Sequence, residues 1–319
     1  MEYITLGRTG LQVSPLCLGT WLWTQRNTPE EGAAVIDQAL NQGINFIDTA
    51  NVYARGGAEE VVGTALEGRR DSVVLATKVC SRMDDSDPNA IGLSRTQIVR
   101  QCENSLKRLK TDYIDLYQMH RPCPNDTPIE ESLRAFDDLV SQGKVRYIGS
   151  SNFPGANFVE ALWKADVGSF VSLVTEQPPY NILRRRAESD VVPWCLKNGV
   201  VLVPYSPISG GLLTGKYRKG QPMPDGGRLT EWKSDKTEWW ETAMDVVERL
   251  LVHAAEKGCT LSQFSVAWLM RQPAMGAPII GPRNVEQLTD NLGALDVEIT
   301  DEDCALVDEL APPGRSIWQ

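Results

Sequence analysis

Short apolar runs alternate with amphipathic helical segments along most of the chain. Eight runs have the length and composition of buried strands, at residues 16–19, 45–48, 73–77, 114–118, 146–149, 173–176, 200–204 and 278–281. Helical segments between them start with clear signals. Thr28-Pro29-Glu30-Glu31 combines a capping residue, a first-turn proline and two acids, and Ser94 to Gln97 has the spacing of a capping box. Strands that alternate with such helices predict βαβ units and a parallel sheet.

The number of strands decides between two architectures. Eight parallel strands close a (β/α)8 TIM barrel. The alternative, a doubly wound sheet, normally carries a G-x-G-x-x-G turn after its first strand, whereas here Thr20-Trp21-Leu22-Trp23 follows. We therefore predict an α/β fold, a (β/α)8 barrel with an N-terminal β-hairpin at residues 4–13. Without repeats or linkers, residues 1–319 are interpreted as a single domain.

Two segments interrupt the alternation of strands and helices. Residues 210–240 are rich in Gly, Pro, Lys and Asp and include three tryptophans, Trp232, Trp239 and Trp240. A loop of this length in a compact domain is typical of a lid, a binding loop or disorder. Residues 80–93 form a second polar interruption.

Composition limits the functional classes. The formal net charge of -10 repels phosphate backbones, so we expect no nucleic acid partner. No apolar run approaches the ~20 residues of a membrane helix, and we expect no signal peptide and no membrane association. The seven cysteines are scattered without C-x-x-C spacing, which favours reduced thiols in a cytoplasmic protein.

Polar residues follow the predicted strands where a barrel would place its active site. They are Asp48, Lys78, His120, Ser150, Ser151, Asn152, Gln177, Tyr205 and Ser206. Each alone has an ordinary explanation, such as a cap, a solvated lysine or a structural histidine. Together they form a chemically matched set at one predicted mouth.

The set suits reduction of a carbonyl group. A proton donor must lie close to the developing alkoxide. Tyrosine has a pKa of ~10, and a neighbouring ammonium group lowers it by favouring phenolate. Tyr53 could meet Lys78, Asp48 would keep that lysine charged, and neutral His120 could hydrogen-bond the substrate oxygen.

Two other chemistries fit poorly. Only two histidines, His120 and His253, are present, so a metal site at the strand ends is not expected. Residues 210–216 match G-x-x-x-x-G-K, but Tyr217 replaces the Ser or Thr that a P-loop uses for magnesium. A glycine-rich loop close to a pyrophosphate is the better interpretation of this segment.

The ordered set of motifs resembles the aldo-keto reductase family, from the hairpin to about residue 312. The matching residues are Phe46-Ile47-Asp48-Thr49-Ala50 with Tyr53, Ala76-Thr77-Lys78, His120, Ile148-Gly149-Ser150-Ser151-Asn152-Phe153, Tyr205-Ser206-Pro207, and Ile280-Gly281-Pro282-Arg283-Asn284 with Gln287 and Asn291. The resemblance implies a barrel that binds extended NAD(P)H and reduces aldehydes or ketones. It implies a catalytic tetrad of Asp48, Tyr53, Lys78 and His120, with Tyr53 as proton donor.

The resemblance also implies the cofactor site. Ser151, Asn152 and Gln177 would hold the carboxamide, Tyr205 would stack on the nicotinamide, residues 206–216 would cover the pyrophosphate, and residues 281–291 would hold the adenosine phosphate. The predicted cofactor-binding residues are Gly19, Thr20, Trp21, Ser150, Ser151, Asn152, Gln177, Tyr205, Ser206, Pro207, Ile208, Gly210, Leu212, Lys216, Gly281, Arg283, Gln287 and Asn291.

Several details set the choice of cofactor and substrate. Arg283 matches a 2′-phosphate and predicts NADPH, with NADH as the lesser cofactor, unless Arg283 is a solvated residue at a helix start. Arg55 either favours an anionic or polar substrate or is solvated. Trp21, Trp23 and Trp232 either line the substrate pocket or anchor the core.

Two other functions stay open at this point. One is a cofactor-binding regulatory subunit, like the potassium-channel β subunits of the same family. The other is a lyase or isomerase that forms a Schiff base on Lys78. The expected partner in the main interpretation is a small carbonyl substrate, whose identity the sequence does not specify, and the oligomeric state stays open.

Overall fold

The computed structural model describes residues 1–124, 127–233 and 238–318, and it has the predicted architecture. Eight parallel strands form one sheet in the order β10-β3-β4-β5-β6-β7-β8-β9, and a two-stranded antiparallel hairpin precedes them. The strands are β1 Ile4–Thr5, β2 Gln12–Val13, β3 Cys17–Gly19, β4 Phe46–Asp48, β5 Val74–Val79, β6 Ile114–Met119, β7 Val145–Ser151, β8 Leu173–Gln177, β9 Val201–Leu202 and β10 Ile279–Ile280. The predicted barrel with its N-terminal hairpin is confirmed.

Helices lie between the strands. They are α1 Pro29–Asn41, α2 Gly57–Ala65, α3 Arg95–Arg108, α4 Ile129–Ser141, α5 Gly155–Gly168, α6 Ala187–Asp190, α7 Val192–Asn198, α8 Arg228–Glu231, α9 Trp240–Glu256, α10 Leu261–Met270, α11 Val285–Leu292 and α12 Asp301–Leu310. The predicted start of α1 is confirmed, with Thr28 and Glu31 forming a reciprocal capping box. At α3 the prediction was only half right. Ser94 accepts from the amide of Gln97, but the Gln97 side chain is buried and has no hydrogen-bond partner among the described residues.

The sheet closes into a ring between its outer strands. Leu202 donates from its amide to the Ala274 carbonyl and accepts from the Gly276 amide, both at 2.8 Å, and the Ile279 amide donates to the Pro204 carbonyl at 2.8 Å. Every residue of β5 and β6 is buried, because helices cover the outside and side chains fill the inside.

The hairpin seals one end of the barrel. Leu6 and Val13 are fully buried and belong to the apolar cluster that includes Phe46 in the barrel interior. Gly7 has φ +56° and lies so close to the barrel that a Cβ there would be 2.9 Å from the Val174 carbonyl oxygen. Only glycine suits both conditions. The opposite end, at the carboxyl ends of the strands, is left for the polar residues.

Candidate functional site

Strand register brings the predicted catalytic residues to one end of the barrel. Asp48 ends β4, Lys78 lies one residue before the end of β5, and His120 follows β6 directly. Tyr53 begins a 3-10 helix, Tyr53–Gly56, in the loop after β4. Because neighbouring parallel strands end at the same level, these four side chains meet at the carboxyl-terminal mouth.

Lys78 is the centre of this group. Its fully buried Nζ lies 2.5 Å from Asp48 Oδ1, 2.8 Å from the Thr49 carbonyl oxygen and 3.2 Å from the Tyr53 hydroxyl. The Tyr53 and His120 rings meet edge to face with centroids 5.8 Å apart. An ammonium, a phenol and an imidazole therefore converge on one point.

Asp48 is held by a second set of contacts that the sequence did not reveal. The side-chain amides of Gln118 and Gln177 each donate to Asp48 Oδ2 at 3.0 Å. Gln118 was not predicted as a site residue. Its position on β6, two residues before His120 and hence on the same face of the extended chain, was the available signal.

The charges of the group follow from burial and proximity. Burial alone would lower the pKa of Lys78, but Asp48 and Tyr53 outweigh it and the pKa of Lys78 is raised. Burial, Lys78 and Arg121 together lower the pKa of His120 to about 3, so the imidazole is neutral at physiological pH. A buried, charged and fully bonded Lys78 is unsuited to Schiff-base formation, which needs a free amine.

The expected lowering of the Tyr53 pKa is wrong for this structure. Burial raises the pKa of Tyr53, and the opposing effect of Lys78 is smaller. The sequence shows the ammonium neighbour of Tyr53 but not the loss of water around its phenol. Tyr53 is therefore protonated at neutral pH, which is the form that donates.

A chain of hydrogen bonds continues from this group across the mouth. Asn152, in a left-handed conformation with φ 58°, donates to the His120 carbonyl oxygen at 3.0 Å and to Ser151 Oγ at 2.9 Å. Ser151 Oγ donates to the Gln177 carbonyl oxygen at 2.9 Å, and the Tyr205 hydroxyl donates to Asn152 Oδ1 at 2.8 Å. Four of the predicted cofactor residues thus form one connected set.

A cavity of about 1170 Å³ opens at this mouth. Asp48, Tyr53 and His120 line it, whereas Lys78 lies buried behind them. The predicted cofactor residues that line it are Gly19, Thr20, Trp21, Ser151, Asn152, Gln177, Tyr205, Ser206, Pro207, Ile208, Gly210, Lys216, Gly281, Arg283, Gln287 and Asn291.

Two predicted cofactor residues are not part of the cavity wall. Ser150 is buried behind it and donates to the carboxyl group of Glu176. Leu212 is fully buried in the apolar core, within the 3-10 helix Ser209–Thr214. Each has one sequence neighbour that does line the cavity, Ser151 beside Ser150 and Gly211 beside Leu212, so the family resemblance alone does not give the orientation of the side chain.

One end of the cavity is strongly cationic. Lys216, Arg228 and Arg283 line it, and none of the three has a carboxylate partner among the described residues. Burial and the charges of Arg283, Arg228 and Arg26 lower the pKa of Lys216. Burial, with Arg26 and Arg283, lowers the pKa of Arg228 to about 10. Unpaired cations that disfavour one another's charge form a site for a polyanion.

Part of the predicted loop at residues 210–240 closes over this end, and its residues 234–237 lie outside the described chain. Arg228 of α8 lies over the Trp21 and Trp232 rings, at 5.1 and 5.7 Å from their centroids. Arg26 pairs with Glu231. Trp23 is a buried anchor that also lines the cavity, and its Nε1 donates to the Pro282 carbonyl oxygen at 3.4 Å. The sequence missed Arg26 and Arg228, because only the folded loop brings them to the cavity.

Neither a metal cluster nor a membrane-spanning helix is found in the described part of the chain. Within residues 1–124, 127–233 and 238–318, no group of three or more His, Cys, Asp or Glu is placed to hold a metal ion. No helix in the described part of the chain combines the length and apolar character needed to cross a membrane.

The sequence model of the Aldo/keto reductase family matches residues 15–312, almost the whole chain. The chain belongs to the aldo/keto reductase family. This match confirms the predicted family and the prediction of an oxidoreductase.

Two relatives show the range within this family. A protein of Bacillus subtilis (strain 168) named "Uncharacterized oxidoreductase YrpG" is 41% identical over 98% of this chain and 97% of its own length. An Arabidopsis thaliana protein named "Probable voltage-gated potassium channel subunit beta" is 35% identical over 93% of this chain and 92% of its own. Both likenesses extend over nearly the full length of each protein.

Proposed function

We propose that this aldo/keto reductase uses NADPH to reduce aldehydes or ketones to alcohols, reversibly. The observation that carries the proposal is the Lys78 centre, which joins Asp48 and Tyr53 beside a neutral His120 at the end of a long cavity. A buried proton donor, a fixed cation and a hydrogen-bond donor are what a developing alkoxide requires.

Each of the four residues has a separate role. When bound, the nicotinamide cofactor would supply the hydride that the carbonyl carbon accepts. Tyr53 donates its hydroxyl proton to the carbonyl oxygen, and Lys78 stabilises the phenolate that is left. Asp48 keeps Lys78 charged and oriented, and neutral His120 donates a hydrogen bond to the carbonyl oxygen and fixes the substrate.

The cavity wall fits a nicotinamide dinucleotide. Ser151, Asn152 and Gln177 present amide and hydroxyl groups for a carboxamide, and Tyr205 offers a ring for stacking. Residues 206–216 would cover the pyrophosphate, with Lys216 and Arg228 as its cations. Three cations that have no carboxylate partner among the described residues support this fit, since a polyanion would neutralise them.

Arg283 supports NADPH over NADH. Its side chain has no ion pair with a described residue, and its backbone is fixed because its amide donates to Gln287 Oε1 at 3.0 Å. We expect Arg283→Ala to weaken NADPH binding by about 10- to 100-fold, the value of a lost charge-assisted hydrogen bond, and to leave NADH binding nearly unchanged. Fluorescence titration with both cofactors tests this, and equal losses for the two would contradict the assignment.

Turnover of a panel of neutral aldehydes, measured as loss of NADPH absorbance, tests the reaction itself. We expect Tyr53→Phe to lower kcat/KM by about 10²- to 10⁴-fold, because the proton donor is removed, with the Kd for NADPH unchanged. A wild-type protein that binds NADPH but reduces none of the aldehydes would contradict the proposed reaction.

NADPH binding without reduction of any aldehyde would support a second function, a cofactor-binding regulatory subunit. The printed name of the Arabidopsis relative favours this candidate. The intact Lys78 centre favours turnover. As part of the main proposal we infer a small carbonyl compound as partner rather than nucleic acid, and a cytoplasmic location from the scattered cysteines.

A further inference from the structure

A fifth cation lines the cavity at the end opposite the cofactor phosphates. Arg121 follows His120 directly, and its side chain is exposed in the cavity mouth. Two hydrogen bonds fix its attachment point. The His120 backbone amide donates to the Val79 carbonyl oxygen at 2.9 Å, and the Asn152 side-chain amide donates to the His120 carbonyl oxygen at 3.0 Å. Arg121 has no ion pair and no side-chain hydrogen bond with any described residue.

The electrostatic neighbours of Arg121 place it at the reacting end. Its charge acts on Tyr53, His120 and Tyr205, the residues around the proposed carbonyl position. The cations at the phosphate end instead act on one another, as the effects of Arg26, Arg228 and Arg283 on Lys216 show. The cavity therefore has two separate cationic ends, and the cofactor phosphates account for only one of them.

Arg55, the sequence candidate for an anion-binding residue, has another partner. Its guanidinium pairs with Asp85 at 2.7 Å, both side chains are largely exposed, and Arg55 does not line the cavity. Arg121 instead lines the cavity, and no carboxylate of a described residue forms an ion pair with it. Its position beside the reacting group therefore points to a ligand that brings its own anion.

We propose that Arg121 binds an anionic group, a carboxylate or a phosphate, of the carbonyl substrate. The substrate class is then aldehydes or ketones that carry such a group at the end away from the carbonyl. This inference rests on the proposed reduction, in which the anionic group is unchanged while the carbonyl carbon gains hydride and the oxygen gains the Tyr53 proton. A planar guanidinium matches either anion through two parallel hydrogen bonds.

Matched substrate pairs test this selectivity. The pairs are 4-carboxybenzaldehyde with benzaldehyde, and glyceraldehyde 3-phosphate with glyceraldehyde. For each pair, the readout is the ratio of kcat/KM for the anionic member to that for the neutral one. The ratio cancels any effect of Arg121 on the pKa of Tyr53 or His120, because both members use the same catalytic groups. Comparing the two pairs separates carboxylate from phosphate.

We expect the wild-type protein to prefer one or both anionic members, and Arg121→Gln to lower that ratio by about 10- to 100-fold, as for loss of a charge-assisted hydrogen bond. Arg121→Lys, which keeps the charge but not the paired geometry, should give an intermediate ratio. Arg55→Gln is the matched control and should leave the ratio unchanged. Higher salt should lower the wild-type ratio, because the guanidinium is exposed.

A binding measurement separates the two proposals. Quenching of tryptophan fluorescence in the protein with NADP⁺ gives Kd values for 4-carbamoylbenzoate and benzamide, which carry no alcohol to oxidise and therefore bind without turnover. Turnover of neutral aldehydes with equal ratios in the wild type and Arg121→Gln would overturn the anion proposal alone. Absence of turnover with an Arg121-dependent preference for the benzoate would overturn the reduction and support the anion site. A Kd for the benzoate that is the same in the wild type and in Arg121→Gln would overturn the anion site.

Discussion

At the residue scale, the Lys78 centre depends on a buried ion pair. Asp48 and Lys78 are both almost fully buried, so each charge is stabilised chiefly by the other and by neutral donors and acceptors around it. The sequence predicted which residues meet, because each lies near the end of a predicted strand or in the loop that follows it. It did not predict the Tyr53 pKa, because the balance between the Lys78 charge and the loss of water depends on how tightly the loop after β4 covers the phenol.

Removal of one partner of this pair should destabilise the fold more than removal of both. Lys78→Met leaves the Asp48 carboxylate buried without its cation, and we expect a loss of about 3–5 kcal/mol in the free energy of unfolding. Adding Asp48→Asn to Lys78→Met should recover part of that loss. Urea denaturation of the two single variants and the double variant measures the coupling. A loss in the double variant that equals the sum of the two single losses would contradict this coupling.

At the element scale, strand β8 holds the end of β7 and the loop after it, where Ser151 and Asn152 lie. Glu176 is fully buried on β8, where it accepts from Ser150 Oγ and from the Phe153 amide at 3.1 Å. The sequence indicated β8 and the motif Ser150-Ser151-Asn152. It did not indicate the link between them, because the sequence does not show in which direction the side chain of a glutamate within an apolar strand points.

Glu176 should make stability depend on pH near neutrality. Burial raises the pKa of Glu176 from 4.5 to about 8. Between these values the unfolded chain releases a proton that the folded chain keeps, so the free energy of unfolding falls as pH rises from about 4.5 to about 8 and then levels off. We expect Glu176→Gln to remove this decline. Thermal unfolding from pH 5 to 8.5 measures it.

A substitution at an exposed site on another element provides the control for this experiment. Glu60→Gln, on the exposed side of α2, should leave the pH dependence of the wild type intact. A Glu176→Gln profile parallel to that of the wild type would mean that the Glu176 carboxyl group does not hold its proton in the folded protein. The loop would then be held by a charged Glu176.

At the scale of the whole molecule, the two ends of the barrel serve different purposes. The carboxyl-terminal mouth collects the polar groups, the cations and the cavity, in a protein whose net charge is -10. The sequence predicted the barrel and this polarity of its ends from eight strands and their final residues. It could not predict which cations face the cavity, because Arg26 and Arg228 reach it from loops whose course depends on their packing against Trp21 and Trp232.

The sealed end should affect stability without affecting the reaction. Leu6 is fully buried in the barrel interior, and Leu6→Ala should lower the free energy of unfolding by about 2–5 kcal/mol through lost burial and a cavity. Leu196→Ala, at a leucine that is 57% exposed on α7, should change it by less than about 0.5 kcal/mol. Urea denaturation compares the two variants.

The same two variants then test whether the ends are independent. In a barrel, the amino-terminal end supports stability and the carboxyl-terminal end supports chemistry. Leu6→Ala should therefore keep the wild-type kcat/KM for aldehydes and the wild-type Kd for NADPH at a temperature where it is folded. A fall in kcat/KM in the fully folded variant would show that the hairpin shapes the mouth through the barrel interior, since Phe46 contacts the hairpin cluster and lies two residues before Asp48.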